Sequence, residues 1–179
     1  MALGAPAPPV RAAGSRLTGA AYGSDVTDSI NFLTNPPEFV GLQNAVQSIP
    51  NATWTALTLD AEQLDSYNGH STSTNTSRYV AQVAGWYTVC GVYATAANAT
   101  GFRAARIQVN GSPVLGAAAY APVASGTVEM GVVTPTRSIQ LAVNDFVEVA
   151  GYQSSGGALN TVLDIDMRTG LWVRFSRAI

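Results

Sequence analysis

The chain contains no lysine, one cysteine (Cys90), one histidine (His70) and only 11% charged residues. A single cysteine permits no intrachain disulfide and no cysteine-based zinc site. Cys90 lies in an apolar run, where it is expected to act as a small hydrophobe. The lone histidine sits in a Ser/Thr-rich stretch, and no Gly-x-Ser-x-Gly, Walker A or HExxH pattern occurs, so catalysis is not expected. The nine cations are all arginines and form no basic patch, which removes nucleic acid from the expected partners. No apolar run is long enough to span a bilayer. The opening Met-Ala-Leu-Gly-Ala-Pro-Ala-Pro-Pro-Val lacks the basic-then-apolar order of a signal peptide, so synthesis in a cytoplasm is expected.

What is present is a 179-residue chain with 47% hydrophobic residues, much of that share alanine. Its charge is less than half of the ordinary quarter. A surface so poor in charge is covered with Ser, Thr, Asn, Gln and Gly, or is buried against partners. The run Gly85-Trp86-Tyr87-Thr88-Val89-Cys90-Gly91-Val92-Tyr93-Ala94-Thr95 is aromatic, β-branched and uncharged. Both of its alternating faces are mostly apolar, which predicts a central strand covered on two sides. One cover is the facing sheet of a sandwich; a neighbouring subunit is the candidate for the other.

Residues 1–48 read as an arm. Its first twenty residues, rich in Ala, Gly and Pro, bury too little to fold alone. A short helix is expected over 24–33, capped by Ser24 or Asp25, with Val26, Ile30 and Leu33 on one face and Asn35-Pro36-Pro37 ending it. So short a helix needs a docking surface. Residues 39–50 read as a connector. Residues 49–179 carry short strands between turn signals, over 53–59, 78–83, 85–95, 102–109, 114–120, 127–133, 138–143, 146–153, 159–167 and 171–176. Asn110-Gly111 is the clearest hairpin signal. The density of strands is that of a jelly roll.

Several of these motifs together resemble the C1q/TNF-like jelly-roll domain over residues 49–179. They are Arg78-Tyr79 leading to Ala84-Gly85-Trp86-Tyr87, Ile107-Gln108-Val109-Asn110-Gly111, Ile139-Gln140-Leu141-Ala142-Val143-Asn144-Asp145-Phe146-Val147-Glu148-Val149, and Leu171-Trp172-Val173-Arg174-Phe175. Where that family has Gly-Asp, this chain has Asn144-Asp145, and Asn tolerates the left-handed backbone the turn requires. Nearly the whole chain also resembles small proteins of actinobacterial phages and prophages. The shared runs lie at residues 31–37, 48–55 and 153–160.

The resemblance implies an all-β, C1q/TNF-like jelly-roll β-sandwich with an extended N-terminal arm, and a virion structural protein, usually a homotrimer. Three roles follow as expectations: a minor tail, tail-tip or fibre-knob protein touching the host surface; a capsid decoration protein at threefold positions; or a cellular C1q-like glycan-binding module. In the first two, the arm joins other virion proteins.

Candidate residues follow from chemistry. Trp54, Trp86, Tyr93 and Trp172 are interface candidates, since Trp86 and Trp172 fall out of phase with the inward residues of their strands. Val26, Ile30, Phe32 and Leu33 are the anchoring residues of the arm. Tyr67, His70, Tyr120 and Tyr152 are candidates for a surface ligand such as a host glycan. Asp60, Glu62 and Asp65 form the densest acidic cluster and are weak calcium candidates beside the bland expectation of solvated loop acids. Asp164 and Asp166 share an expected strand face, with side chains about 7 Å apart along it.

Overall fold

Alternation over short runs bounded by turn residues makes strands, and the computed structural model describes residues 6–7, 10–123 and 126–179 as a jelly-roll β-sandwich. In chain order the strands are β1 (Glu38–Leu42), β2 (Ser48–Ile49), β3 (Thr55–Ala56), β4 (Ala61–Asp65), β5 (Tyr79–Val80), β6 (Gly85–Thr95) and β7 (Phe102–Val109). They continue with β8 (Ser112–Pro122), β9 (Met130–Val133), β10 (Arg137–Leu141), β11 (Phe146–Gln153), β12 (Leu159–Asn160) and β13 (Gly170–Arg177). The first sheet runs β10-β6-β13-β1-β4, with β9 on the far half of β6. The second runs β3-β11-β7-β8, with β5 against the start of β11, and β2 pairs β12 apart from both.

The expected central strand is β6, flanked by β13 on one side and by β10 and β9 on the other. Tyr87, Val89 and Tyr93 point into the core with no exposure. Gly91 shares that phase, and a Cβ there would press on Val149 of the opposite sheet, so the glycine sets how closely the sheets approach. Burial pushes the Tyr87 phenol up to about 12, and the hydroxyl donates to the Val83 carbonyl at 2.6 Å.

Two turns bind the sheet ends together. Asn110 and Gly111, both at positive φ, close the β7–β8 hairpin, and Asn144 at φ 73° turns β10 into β11. Asp145 links them. Its Oδ1 accepts from Asn110 Nδ2 and its Oδ2 from the Ala142 amide, each at 2.8 Å.

Several expectations need correction. Residues 39–50 are no simple connector: β1 lies between β13 and β4, so the sandwich begins by Glu38 rather than at 49. The signal was weak because only Phe39 and Gly41 of β1 are buried, while Val40 and Leu42 face outward. The expected strand over 159–167 stops at Asn160. Beyond it Asp164 Oδ1 accepts from the Asp166 amide at 3.0 Å and folds a turn, so these two acids sit at a loop tip and share no strand face. The strand expected over 53–59 reduces to β3, although Leu57 and Leu59 still face inward.

The arm is helical over a longer span than expected: α1 (Gly19–Tyr22), a π-helical turn (Gly23–Thr27) and α2 (Asp28–Thr34). Thr18 supplies the cap in place of Ser24 or Asp25, its Oγ1 accepting from the Ala21 amide at 3.2 Å. Asn35 leaves the helical region ahead of the two prolines, as expected. The buried residue is Phe32 rather than the Val26/Ile30/Leu33 stripe. Its ring meets Phe175 edge-on at 5.1 Å and Tyr67 at 6.4 Å. Phe32 thus ties the arm to its own sandwich, leaving Ile30 and Leu33 exposed. The expected extended start over residues 1–5, 8 and 9 lies outside the described residues. No helix among the described residues is long and apolar enough to cross a membrane.

Candidate functional site

Strand alternation gives the first sheet an outward face, apolar around Trp172 and polar toward the other end, where Glu38 faces Arg174 and Thr88 Oγ1 meets Ser176 Oγ at 2.8 Å. Trp172, 37% exposed, stands on β13 opposite Cys90 of β6. Around it are exposed Val133 and Leu64 and partly buried Val92 and Leu42. A hollow of about 690 Å³ lies among Leu42, Val92, Val133, Met167 and Trp172, with Gln63, Asp166, Arg168 and exposed Ile165 also lining it. Trp86 shares the outward face of β6, with the Arg177 guanidinium 5.3 Å above its ring.

The other two interface candidates lie elsewhere. Tyr93 is wholly buried because it shares the phase of Tyr87 and Val89. Its side chain faces its own core and no partner. Trp54 belongs to the opposite side of the sandwich, just ahead of β3.

The loop after β4 uses its acids to fold itself. Asp65 accepts from the amides of Gly69 and His70 at 3.0 and 2.9 Å. Asp60 accepts from the Asn44 amide at 2.6 Å and from that of Ala45. Glu62 instead meets His70 Nδ1 at 2.7 Å. Glu62 and Asp65 thus both hold His70, while Asp60 holds the turn at 44–45. No group of three or more His, Cys, Asp and Glu that could hold a metal ion occurs among the described residues.

His70 and Tyr67 are also not surface ligands. The imidazole is fully buried, tilted against the Phe39 ring at 4.8 Å, with Nε2 3.0 Å from the Thr76 carbonyl. Tyr67 packs under Phe32. A loop that looks polar in sequence thus pins its one histidine and one tyrosine inside.

On the outward face of the second sheet four aromatic side chains meet. Phe102 of β7 stacks on Tyr152 of β11 at 5.3 Å, and Tyr152 meets Trp54 at 5.3 Å. Tyr120 of β8 leans on Trp54 and Phe102 at 6.3 and 5.9 Å and is 65% exposed. The register explains the grouping, since Tyr152 and Tyr120 both pair with Ala104, whose small side chain leaves room between them. Arg106 lies 4.1 Å over the Trp54 ring, and its Nε donates to Gln108 at 2.8 Å. Partial burial lowers the guanidinium's pKa. Sequence reasoning singled out Trp54, Tyr120 and Tyr152 separately and missed Phe102 and Arg106. The usable signal was that both share the outward phase of β7.

Farther along the same face Glu148, 4% exposed, accepts from Ser77 Oγ at 2.7 Å and Arg78 Nε at 3.2 Å. Arg78 also covers the Phe146 ring at 4.1 Å.

No family model matches this chain, and no curated protein is a significant match. Solved structures are similar in fold. The globular domain of zebrafish complement 1qA matches with TM-score 0.59 and 16% identity, over 80% of this chain and 98% of that one. Murine APRIL at pH 5.0 matches with TM-score 0.58 and 10% identity, over 78% and 98%. Eiger TNF from S. frugiperda matches with TM-score 0.55 and 10% identity, over 80% and 92%. The chain has a C1q/TNF-like jelly-roll fold.

Proposed function

We propose that this protein is a non-enzymatic building block of a phage particle, a homotrimer of jelly rolls exposed on the virion surface and anchored by its N-terminal arm. The observation that carries the assembly is the apolar outward face around Trp172, Val133 and Leu64. Such a face in so weakly charged a chain is an interaction site, and a closed ring of copies covers it while protecting strand edges. The virion setting follows from the sequence resemblance to phage proteins. The anchoring role is favoured by exposed Ile30 and Leu33, left over once Phe32 has docked α2. Within the particle, the tail-tip or fibre-knob position is the reading adopted, because the aromatic patch around Tyr120 offers a contact for the host surface.

The assembly is tested by sedimentation of the purified protein at micromolar concentration. A trimer is expected; a stable monomer overturns it. Position is tested by imaging labelled particles: label at the tail tip is expected, and label over the capsid replaces the tail reading with decoration. The same aromatic patch also suits a cellular C1q-like glycan-binding module. That second reading requires the protein to be absent from particles and to keep its ligand affinity without residues 1–37.

A further inference from the structure

We infer that the cluster of Trp54, Phe102, Tyr120 and Tyr152 is a saccharide-binding platform, taking the apolar face of a pyranose ring in an uncharged polysaccharide. The inference deepens the tail reading, which makes a bacterial surface polymer the source of the sugar.

The chemistry of the patch selects the ligand. An aromatic face is negative at its centre and attracts the polarised C–H groups on one side of a pyranose. Tyr120, the most exposed of the four, presents such a ring, held upright by Trp54 and Phe102 beneath it. Hydroxyls at the sugar's edge need partners at the rim. The loops that flank Trp54 and Tyr152 carry Thr53 and Ser155, whose hydroxyls donate to the Asn51 and Gly157 carbonyls and keep their oxygens as acceptors, and Asn51 with its side-chain N–H groups. Those loops are tied to one another. The Ala52 amide donates to the Gln153 carbonyl, the Gly156 amide to Asn51 Oδ1, and the Phe102 amide to Ser154 Oγ, at 2.8, 2.8 and 3.0 Å. The floor and rim therefore exist before any ligand arrives, which spares the ordering cost that weakens binding to mobile loops.

Charge points the same way. Arg106 is the one cation at the cluster, and it is spread over Trp54 with its Nε committed to Gln108. It orients the indole and offers its remaining N–H groups to hydroxyls, but a lone stacked guanidinium does not track a phosphate backbone, which takes several cations in a row. An aromatic floor with a few fixed polar groups is the general make-up of a small-ligand site.

The test uses the full chain with maltohexaose, cellohexaose and chitohexaose as separate probes at millimolar concentration, read by saturation-transfer NMR. At least one probe is expected to receive saturation, strongest at the ring protons of one sugar face. Tyr120→Ala, a change at an exposed position, is expected to weaken that binding about tenfold, with sedimentation and thermal melting unchanged. Leu115→Ala, at an exposed site of the same strand, is expected to leave it intact. Absence of transfer to all three probes overturns the inference, and so does equal binding by Tyr120→Ala. Either failure leaves the trimer and virion readings standing, since those are decided by sedimentation and by particle imaging.

Discussion

The two outward faces of this sandwich are made of the same alternating strands, yet they treat their aromatic rings differently. On the second sheet the rings are covered from within the chain, save Tyr120, which is 65% exposed. Arg106 lies on Trp54, Arg78 lies on Phe146, and Tyr152 is held between Phe102 and Trp54. Glu148 there has both a hydroxyl and a guanidinium partner. On the first sheet only Trp86 has such a cover, from Arg177, while Trp172, Val133 and Leu64 stay open to solvent. A face that satisfies itself can stand in water. One that leaves a tryptophan among uncovered aliphatic groups is the proposed self-association face, since aromatic residues at the centre of such a patch usually carry most of the association energy.

The sharpest way to break this contrast is to place a charge on each face. Trp172→Glu is expected to weaken self-association by more than about a hundredfold, roughly 3 kcal/mol, because a carboxylate is then buried without a partner. Sedimentation across a concentration series measures it. Tyr120→Glu on the opposite face is expected to leave the same series unchanged. Equal effects from the two substitutions would show that the faces do not differ in kind.

The next effect concerns the seam where the arm meets the first sheet. Phe32→Ala removes a buried ring from between Phe175 and Tyr67 and is expected to cost about 3 kcal/mol of local stability. Limited proteolysis should then cut within 19–35 in the variant well before the parent, with the sandwich surviving. Leu33→Ala, at a position 76% exposed, is expected to change neither pattern in the free protein. Smaller again is Glu148→Ala on the self-covered face. Its main loss is two hydrogen bonds at a buried acceptor, about 1–2 kcal/mol, since Arg78 is 39% exposed and water can replace part of what it loses. Thermal melting reads it, and no change in self-association should accompany it.

How much of this was legible in the sequence follows from what each signal depends on. Strand β6 could be read because its period-2 pattern and aromatic content are local, and β7 and β11 were placed to the residue for the same reason. The Asn-Gly hairpin was legible because its turn chemistry is local. Strand β1 was not, because its inward positions are a phenylalanine and a glycine and its pairing partners are distant in the chain. Helix α2 was found, but its buried face was misassigned: three aliphatic residues in phase outweighed one aromatic, and only the tertiary hole between Phe175 and Tyr67 decides for Phe32. The aromatic platform was visible only in parts. Trp54, Phe102, Tyr120 and Tyr152 come from four separate segments, and strand register alone brings them together. His70 misled for the opposite reason, since a polar loop gives no hint that its imidazole will turn inward onto Phe39.

The smallest expected effect lies where the two faces share a corner, at Asp145. Its carboxylate ties the β7–β8 turn to the β10–β11 turn, and the hydrogen bond from Asn110, with that from the Ala142 amide, holds its pKa below the ordinary 3.8. A depressed folded-state pKa means that the carboxylate's contribution is fully present above 3.8 and is lost as pH falls through the lower folded value. The parent should therefore lose thermal stability on acidification below that point. Asp145→Asn is expected to melt lower than the parent at neutral pH, and the gap should narrow as acid protonates the parent. The residue is half-buried at the surface, so solvent still screens the interaction and the shift in melting temperature is small. A gap that persists undiminished in acid would show that the turn is held by backbone geometry at Asn144 and Asn110 alone, with the carboxylate a bystander. In that case the corner joining the two faces would owe its shape to two left-handed asparagines, and the faces would be free to differ for reasons of side-chain cover alone.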